Sequence, residues 1–268
     1  YTFDQARFQW RAWLSWRFVT SPASSTPEIA GIRTAILGSL WLVVIAIMFA
    51  VPVGVGAAIY LEEFARPNRI NDLIQTNINN LAGVPSIVYG MLGLAVFVRV
   101  MEPITSGSLF GEGAPNGRTI LAAGLTMGVL TLPVVIISSQ EAIRAVPNSL
   151  RQAGMGLGGT RWQTVRSHVL PLALPGILTG TILAVGRAIG ETAPLILVGA
   201  ASFITTSPSG PFSQFTALPI QIFQWSSFPQ FEWRHLAAAA SLTLLVLLVL
   251  LNAGAVLLRN RYSRRPSD

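Results

Sequence analysis

Long apolar runs without charge decide what this chain can become. Residues 35–61 carry no charged side chain, nor do residues 73–98 or 119–140. A helix needs about 20 mostly apolar residues to cross the hydrocarbon core of a bilayer. Further candidates begin at 169–186 and 236–258, the latter dense in leucine. The pattern predicts an all-α transmembrane bundle with five spans. Pro52, Gly54 and Gly56 interrupt the first and predict a kink there. The first third of 73–98 is polar, with Gln75, Asn77, Asn79 and Asn80, so that span is expected to start near Leu81. Gly124 and Gly128 have the small-residue spacing that lets helices approach closely.

Composition narrows the chemistry. Charged residues make up 11% of the 268 residues, hydrophobic ones 51%, against about 25% charge in an ordinary soluble domain. The absence of cysteine excludes disulfides, zinc–thiolate sites and thiol nucleophiles. His168 and His235 are the only histidines, too few for a histidine-rich metal site. All 18 basic residues are arginine. Without lysine there is no P-loop and no Schiff-base chemistry, so ATP that drives this protein must be hydrolysed by another chain. The net charge of +7 does not read as a nucleic-acid footprint, because the arginines flank apolar spans.

Arginine placement orients the bundle. Arg66, Arg69, Arg144, Arg151, Arg161, Arg166, Arg259, Arg261, Arg264 and Arg265 fall on one side of a five-span arrangement. Positive residues concentrate in the cytoplasm, which puts residues 141–171 and the 261–268 tail inside. Arg7, Arg11, Arg17, Arg118 and Arg234 fall outside. Trp10, Trp13, Leu14 and Arg17 recur at helical spacing, so residues 1–30 are expected to form an extracytoplasmic amphipathic segment on the membrane surface. Residues 31–260 form the membrane domain. The chain starts with Tyr, and a further span upstream would return the N-terminus to the cytoplasm. The reversed topology, with residues 1–20 as a cytoplasmic arm, remains the alternative. Phe223, Trp225, Phe228, Phe231 and Trp233 read either as an interfacial aromatic belt or as an outer docking surface.

The loop at 141–171 is too polar to span and too patterned to be slack. Pro147 ends the preceding helix. Ser149 and Gln152 have capping-box spacing, as do Thr160 and Gln163. Gly158 and Gly159 stand between them, where glycine ends a helix in the left-handed conformation. The expected result is a helix–turn–helix knob below the membrane. Gln152-Ala153-Gly154, then Gly158, His168 and Leu170-Pro171, resemble the EAA loop of type I ABC importer permeases. Three positions depart: Gln152, Gly154 and His168. The segments 149–153, 157–165, 174–180 and 187–195, with 56–64 and 79–90, resemble more narrowly the phosphate importer's permeases, of the PstA type.

That resemblance implies a MetI-like fold, six spans in the complete family member, and a site in the plasma membrane of a bacterium or archaeon. It implies that Ser149, Gln152, Ala153, Gly154, Gly158, Gly159, Thr160, Leu170 and Pro171 meet ATPase subunits. Its implied partners are a PstC-type permease, two PstB-type ATPases that bind ATP and Mg, and an extracytoplasmic phosphate-binding protein. No cofactor, metal or catalytic residue is expected in this chain.

Arg187 and Glu191 are the informative charges. Four residues apart, they are expected on one helix face in or near the bilayer core, where an isolated charge costs about 2.5–3.5 kcal/mol. One reading is an ion pair that holds helices together. The other is a polar point in a translocation path, since the arginine fork matches phosphate oxygens. The resemblance implies the second, with Thr192, Ser86 and Asn80 as further path candidates. Sulfate or molybdate as substrate, and an ion-coupled carrier without an ATPase, remain alternatives.

Overall fold

The computed structural model describes residues 13–111, 115–200 and 203–263. In chain order its α-helices are α1 (Trp16–Thr20), α2 (Arg33–Ile59), α3 (Arg69–Ala82), α4 (Ser86–Gly93), α5 (Glu102–Thr105) and α6 (Ile120–Arg144). They continue with α7 (Asn148–Gly156), α8 (Arg161–Thr164), α9 (Leu170–Gly190), α10 (Ala193–Val198), α11 (Leu218–Ser227) and α12 (Phe231–Ser263). Wider π-helical turns extend α2 over Tyr60–Phe64, continue α4 over Leu94–Val100 and join α8 to α9 over Val165–Val169.

Among the described residues, Arg33–Phe64, Ile120–Arg144, Arg161–Gly190 and Phe231–Arg261 are each long and apolar enough to cross a membrane. Arg69–Ala82 and Ser86–Val100 are apolar enough only when taken together, and they meet at 105°, the geometry of a broken span or a re-entrant pair. The expected span start near Leu81 falls at this break: the polar stretch before it forms a separate helix, α3, and the apolar helix begins at Ser86. Gly83 and Pro85 break the helix, and Tyr89 seals the bend by donating its hydroxyl hydrogen to the Leu81 carbonyl at 2.8 Å. Asn68 caps α3 by accepting from the Asn71 N–H, so Asn79 and Asn80 lie in the last turn of α3 and not at a span start. Pro52 does not end α2, which continues helical to Ile59. The N-terminal segment is helical among the described residues only over Trp16–Thr20; Trp10 lies outside them.

The bundle is built around α6, which packs against α2, α4 and α9. Its small residues make this possible. A Cβ at Gly124 would stand 2.6 Å from Ile45 Cγ2, and one at Gly128 2.7 Å from Phe49 Cδ1, so α2 and α6 touch nearly backbone to side chain. Hydroxyls on α6 return to their own helix: Thr126 donates to the Ala122 carbonyl at 2.8 Å and Ser138 to Val134 at 2.7 Å. This satisfies polar groups where no water competes.

The two ends of the bundle differ. At one end Phe18, Ile32, Trp225, Trp233 and Leu236 form a cluster, and the backbone N–H of Leu121 donates to the Pro211 carbonyl at 2.8 Å. Trp225 is 2% and Trp233 8% exposed. These two tryptophans are thus core residues and not belt; Phe223, Phe228 and Phe231 remain exposed. At the other end the turn after α2 meets the loop after α6, where Ala58, Ile143, Val146 and Val169 pack together. The described arginines expected in the cytoplasm fall at this second end, on the turn after α2, the α6–α9 connection and the end of α12.

Candidate functional site

The loop between α6 and α9 folds as a helical knob. Pro147, with ψ 137°, turns the chain into α7. No side chain caps that helix, which corrects the expected Ser149–Gln152 box: Ser149 already sits inside the first turn. The second box forms. The Gln163 N–H donates to Thr160 Oγ1 at 3.3 Å, and the Thr160 N–H donates to Gln163 Oε1 at 2.8 Å. Between the helices Gly158 adopts φ +83°, a conformation that costs other residues roughly 1–2 kcal/mol. Gln152, Ala153, Gly158, Thr160 and Pro171 are exposed, Gly159 and Leu170 half-buried and Gly154 buried. Gly154 explains its own departure from the alanine pattern, since a Cβ there would lie 2.7 Å from Thr164 Cγ2 on α8. The tip is apolar: Leu157 is 89% exposed, Trp162 and Met155 about half.

Two ion pairs fasten the turn after α2, one to the end of α6 and one to α7 of the knob, and sequence reasoning missed both. Arg144 reaches Glu62 through Nη2–Oε1 at 2.7 Å and Nε–Oε2 at 2.8 Å. Arg151 donates from Nη2 and Nε to Glu63 Oε1 at 2.7 and 2.9 Å, and from Nη2 and Nη1 to the Ile143 and Val146 carbonyls at 2.8 and 2.6 Å. Glu63 is 6% exposed. One guanidinium thus closes the C-terminal end of α6, orients α7 and neutralises a buried carboxylate. A second tie joins α3 to α6, where Gln75 and Gln140 exchange amide hydrogen bonds at 2.7 and 3.2 Å. The available signal was two adjacent carboxylates at a span end on the arginine-rich side.

The third ion pair is different. Arg187 lies in the last turn of α9, but Glu191 stands beyond the helix with ψ 129°. The expectation that both share a helix face is corrected: Gly190 ends the helix, and Glu191 reaches back from extended backbone. Arg187 Nε and Glu191 Oε1 are 3.4 Å apart, with side chains 40% and 20% exposed. This is a single, long contact. The two Nη groups of Arg187 donate to nothing among the described residues, whereas Arg144 and Arg151 use theirs.

Of the other path candidates, Thr192 precedes α10 without capping it and Ser86 opens α4; both are half-buried. α4 packs on α10, with a Cβ at Gly90 falling 2.6 Å from Pro194 Cα, so these two residues belong to touching elements. Asn80 is exposed on α3, across the 105° bend, and is not joined to the pair.

Residues 50–265 match the family described as binding-protein-dependent transport system inner membrane component. The probable ABC transporter permease protein YqgI of Bacillus subtilis is 36% identical over 213 residues, which is 79% of this chain and 67% of that one. The phosphate transport system permease protein PstA of Haemophilus influenzae is 30% identical over 253 residues, 89% of this chain and 84% of that one. Among solved structures, the inward-facing MetNI methionine ABC transporter aligns with a TM-score of 0.66 at 17% identity, covering 90% of this chain and all of that one. At that identity the likeness is one of fold.

Proposed function

The chain belongs to the binding-protein-dependent transport system inner membrane component family, and on that premise we propose that it is a permease subunit of an ATP-driven importer of inorganic phosphate. The observation that carries the substrate class is the free fork of Arg187. A guanidinium that served only to hold helices together would be used up by its partner, as Arg144 and Arg151 are. Arg187 is instead held at one nitrogen, with both Nη groups left for an oxyanion. Glu191 keeps the site from becoming a permanent anion trap, because passage requires binding weak enough to release. The relatives named as phosphate permeases support the choice of phosphate.

In this reading the chain lines the path together with a homologous PstC-type permease. Two PstB-type ATPase subunits bind ATP and Mg and press on the knob at 148–168, whose exposed Leu157, Met155 and Trp162 supply an apolar docking surface. Movement of the knob passes to α2 through Glu62 and Glu63 and to α9 through the turn at Val165–Val169. An extracytoplasmic binding protein delivers phosphate at the opposite end. This chain does no chemistry of its own.

The test is uptake of labelled phosphate into proteoliposomes holding this chain, its partner permease, the ATPase and the binding protein. Uptake that needs ATP and resists excess sulfate and molybdate is the expected result. Displacement by sulfate or molybdate would reassign the substrate, and uptake without the ATPase would replace the importer reading with an ion-coupled carrier.

A further inference from the structure

We propose that a second oxyanion site, centred on Arg118, lies in a cavity at the outer end of the bundle and stages the anion before it reaches Arg187. The inference rests on the oxyanion-importer reading above. The cavity measures about 560 Å³ and is lined by Arg118, Asn116, Gln214 and Gln224 beside Gly199 and Phe223. None of its described lining residues is a carboxylate.

The lining is built to offer donors. Arg118 is exposed and takes part in no ion pair among the described residues. Its stem lies against Gly199, in the space that a Cβ there would fill, with Arg118 Nε 2.8 Å and Cγ 2.9 Å from that point. Gly199 itself adopts φ +106°, a conformation open essentially to glycine. A bare backbone thus makes room for the stem of an arginine that lines the cavity. The amides of Asn116, Gln214 and Gln224 make no side-chain hydrogen bond among the described residues. Among the described residues the cavity pairs one permanent cation with no carboxylate, which favours an anion, and the three amides can each turn N–H donors toward it. The volume exceeds that of a tetrahedral oxyanion, so the anion is held together with water, which suits transient occupancy.

The position in the fold supplies the second argument. Gly199 follows α10 directly, and Glu191 stands two residues before it. A six-residue helix rises about 9 Å at 1.5 Å per residue. The cavity therefore stands one short helix away from the Arg187–Glu191 pair. An anion leaving the binding protein meets Arg118 first.

The cysteine-free chain makes the test clean. Gln224→Cys places a thiol in the cavity, and Ser226→Cys places one on the same helix outside it. Both are made in the assembled importer in proteoliposomes, and modification of this chain by anionic and cationic methanethiosulfonates is timed. A single positive charge within several ångströms should favour the anionic reagent by roughly threefold to tenfold at Gln224→Cys relative to Ser226→Cys. Adding Arg118→Gln should remove that preference, and Arg118→Lys should keep part of it. Millimolar inorganic phosphate should slow modification at Gln224→Cys alone. Equal rates for both reagents, or a preference that survives Arg118→Gln, would overturn the site. So would protection by the phosphate-free binding protein in place of phosphate, which would make the cavity a protein-docking surface. Phosphate uptake in the same vesicles separates the two levels. Intact uptake without any charge preference sinks the cavity and leaves the importer standing. Protection and uptake by sulfate in place of phosphate sink the phosphate reading and leave an oxyanion site.

Discussion

Gly154 occupies a position where helix propensity and packing oppose each other. Alanine would favour α7 by up to about 1 kcal/mol. Its Cβ would meet Thr164 Cγ2 at 2.7 Å and Oγ1 at 2.9 Å, and such overpacking costs typically about 1–3 kcal/mol. We therefore expect Gly154→Ala to lower the melting temperature of the detergent-solubilised complex, and Thr164→Ala to restore it. If Gly154→Ala melts at the wild-type temperature, the close approach of α7 to α8 is not a constraint. The same reasoning in reverse applies to Arg187. Its contact to Glu191 is single and 3.4 Å long, so removing the charge should disturb folding little. Arg187→Gln should assemble and melt like wild type while phosphate uptake falls at least tenfold, and Arg187→Lys should remain poor because an ammonium lacks the planar fork. A variant that transports normally would return this residue to helix packing. The charge at 187 and the carboxylate at 191 were legible in the sequence. The looseness of their contact was not, because it depends on Gly190 ending the helix one residue before Glu191.

The knob between α6 and α9 works as a lever only if it is stiff and attached. Stiffness comes from the Thr160–Gln163 box and the turn at Gly158. No atom lies within 4 Å of a Cβ built at Gly158, so substitutions there act through the backbone alone. Gly158→Val should uncouple ATP hydrolysis from uptake more strongly than Gly158→Asn, since asparagine tolerates the left-handed region. Equal coupling ratios in the two variants would exclude a backbone cause. Attachment comes from Arg151 and Glu63, which are 17% and 6% exposed. Breaking a buried pair strands a charge and costs about 3–5 kcal/mol. Arg151→Met should thus unlink the knob, read as faster hydrogen exchange across residues 143–156, and Arg151→Met with Glu63→Met should recover part of the protection. Exchange unchanged by Arg151→Met would show that the apolar contacts around Ile143 and Val169 suffice. One capping box was readable and the other misleading for a definite reason. A capping residue must precede the helix with extended backbone. Pro147 makes that transition first, which leaves Ser149 inside. The clamps join residues more than 80 positions apart in sequence, and local spacing carries no sign of them. The break at Gly83–Pro85 was legible in principle, but the hydropathy of the flanking run concealed it.

At the scale of the whole molecule, the bundle sorts its arginines. Arg66, Arg69, Arg144, Arg151, Arg161, Arg166, Arg259 and Arg261 gather at the end that bears the knob, while Arg17, Arg33, Arg99, Arg118 and Arg234 lie toward the other. The four long apolar helices and the grouping of the loops between them could be read from the sequence because both follow from hydropathy. The packing of the N-terminal segment could not. Phe18 enters a cluster with Trp225 and Trp233, and Trp13 stacks on His235 with ring centroids 5.7 Å apart, contacts that tie the two outer segments across nearly the full chain length. Positive residues resist translocation, so the proposed importer has the knob on the cytoplasmic side, within reach of an ATPase. The absence of cysteine again allows a direct measurement. Ser226 lies at the Trp225 end and Ser167 in the turn at Val165–Val169, both exposed. In intact cells a membrane-impermeant maleimide should label Ser226→Cys and leave Ser167→Cys untouched until the membrane is opened. The opposite pattern would turn the molecule over. Arg118 and its cavity would then face the cytoplasm, the knob would face outward beyond reach of any ATPase, and the charge bias would have failed to orient the protein.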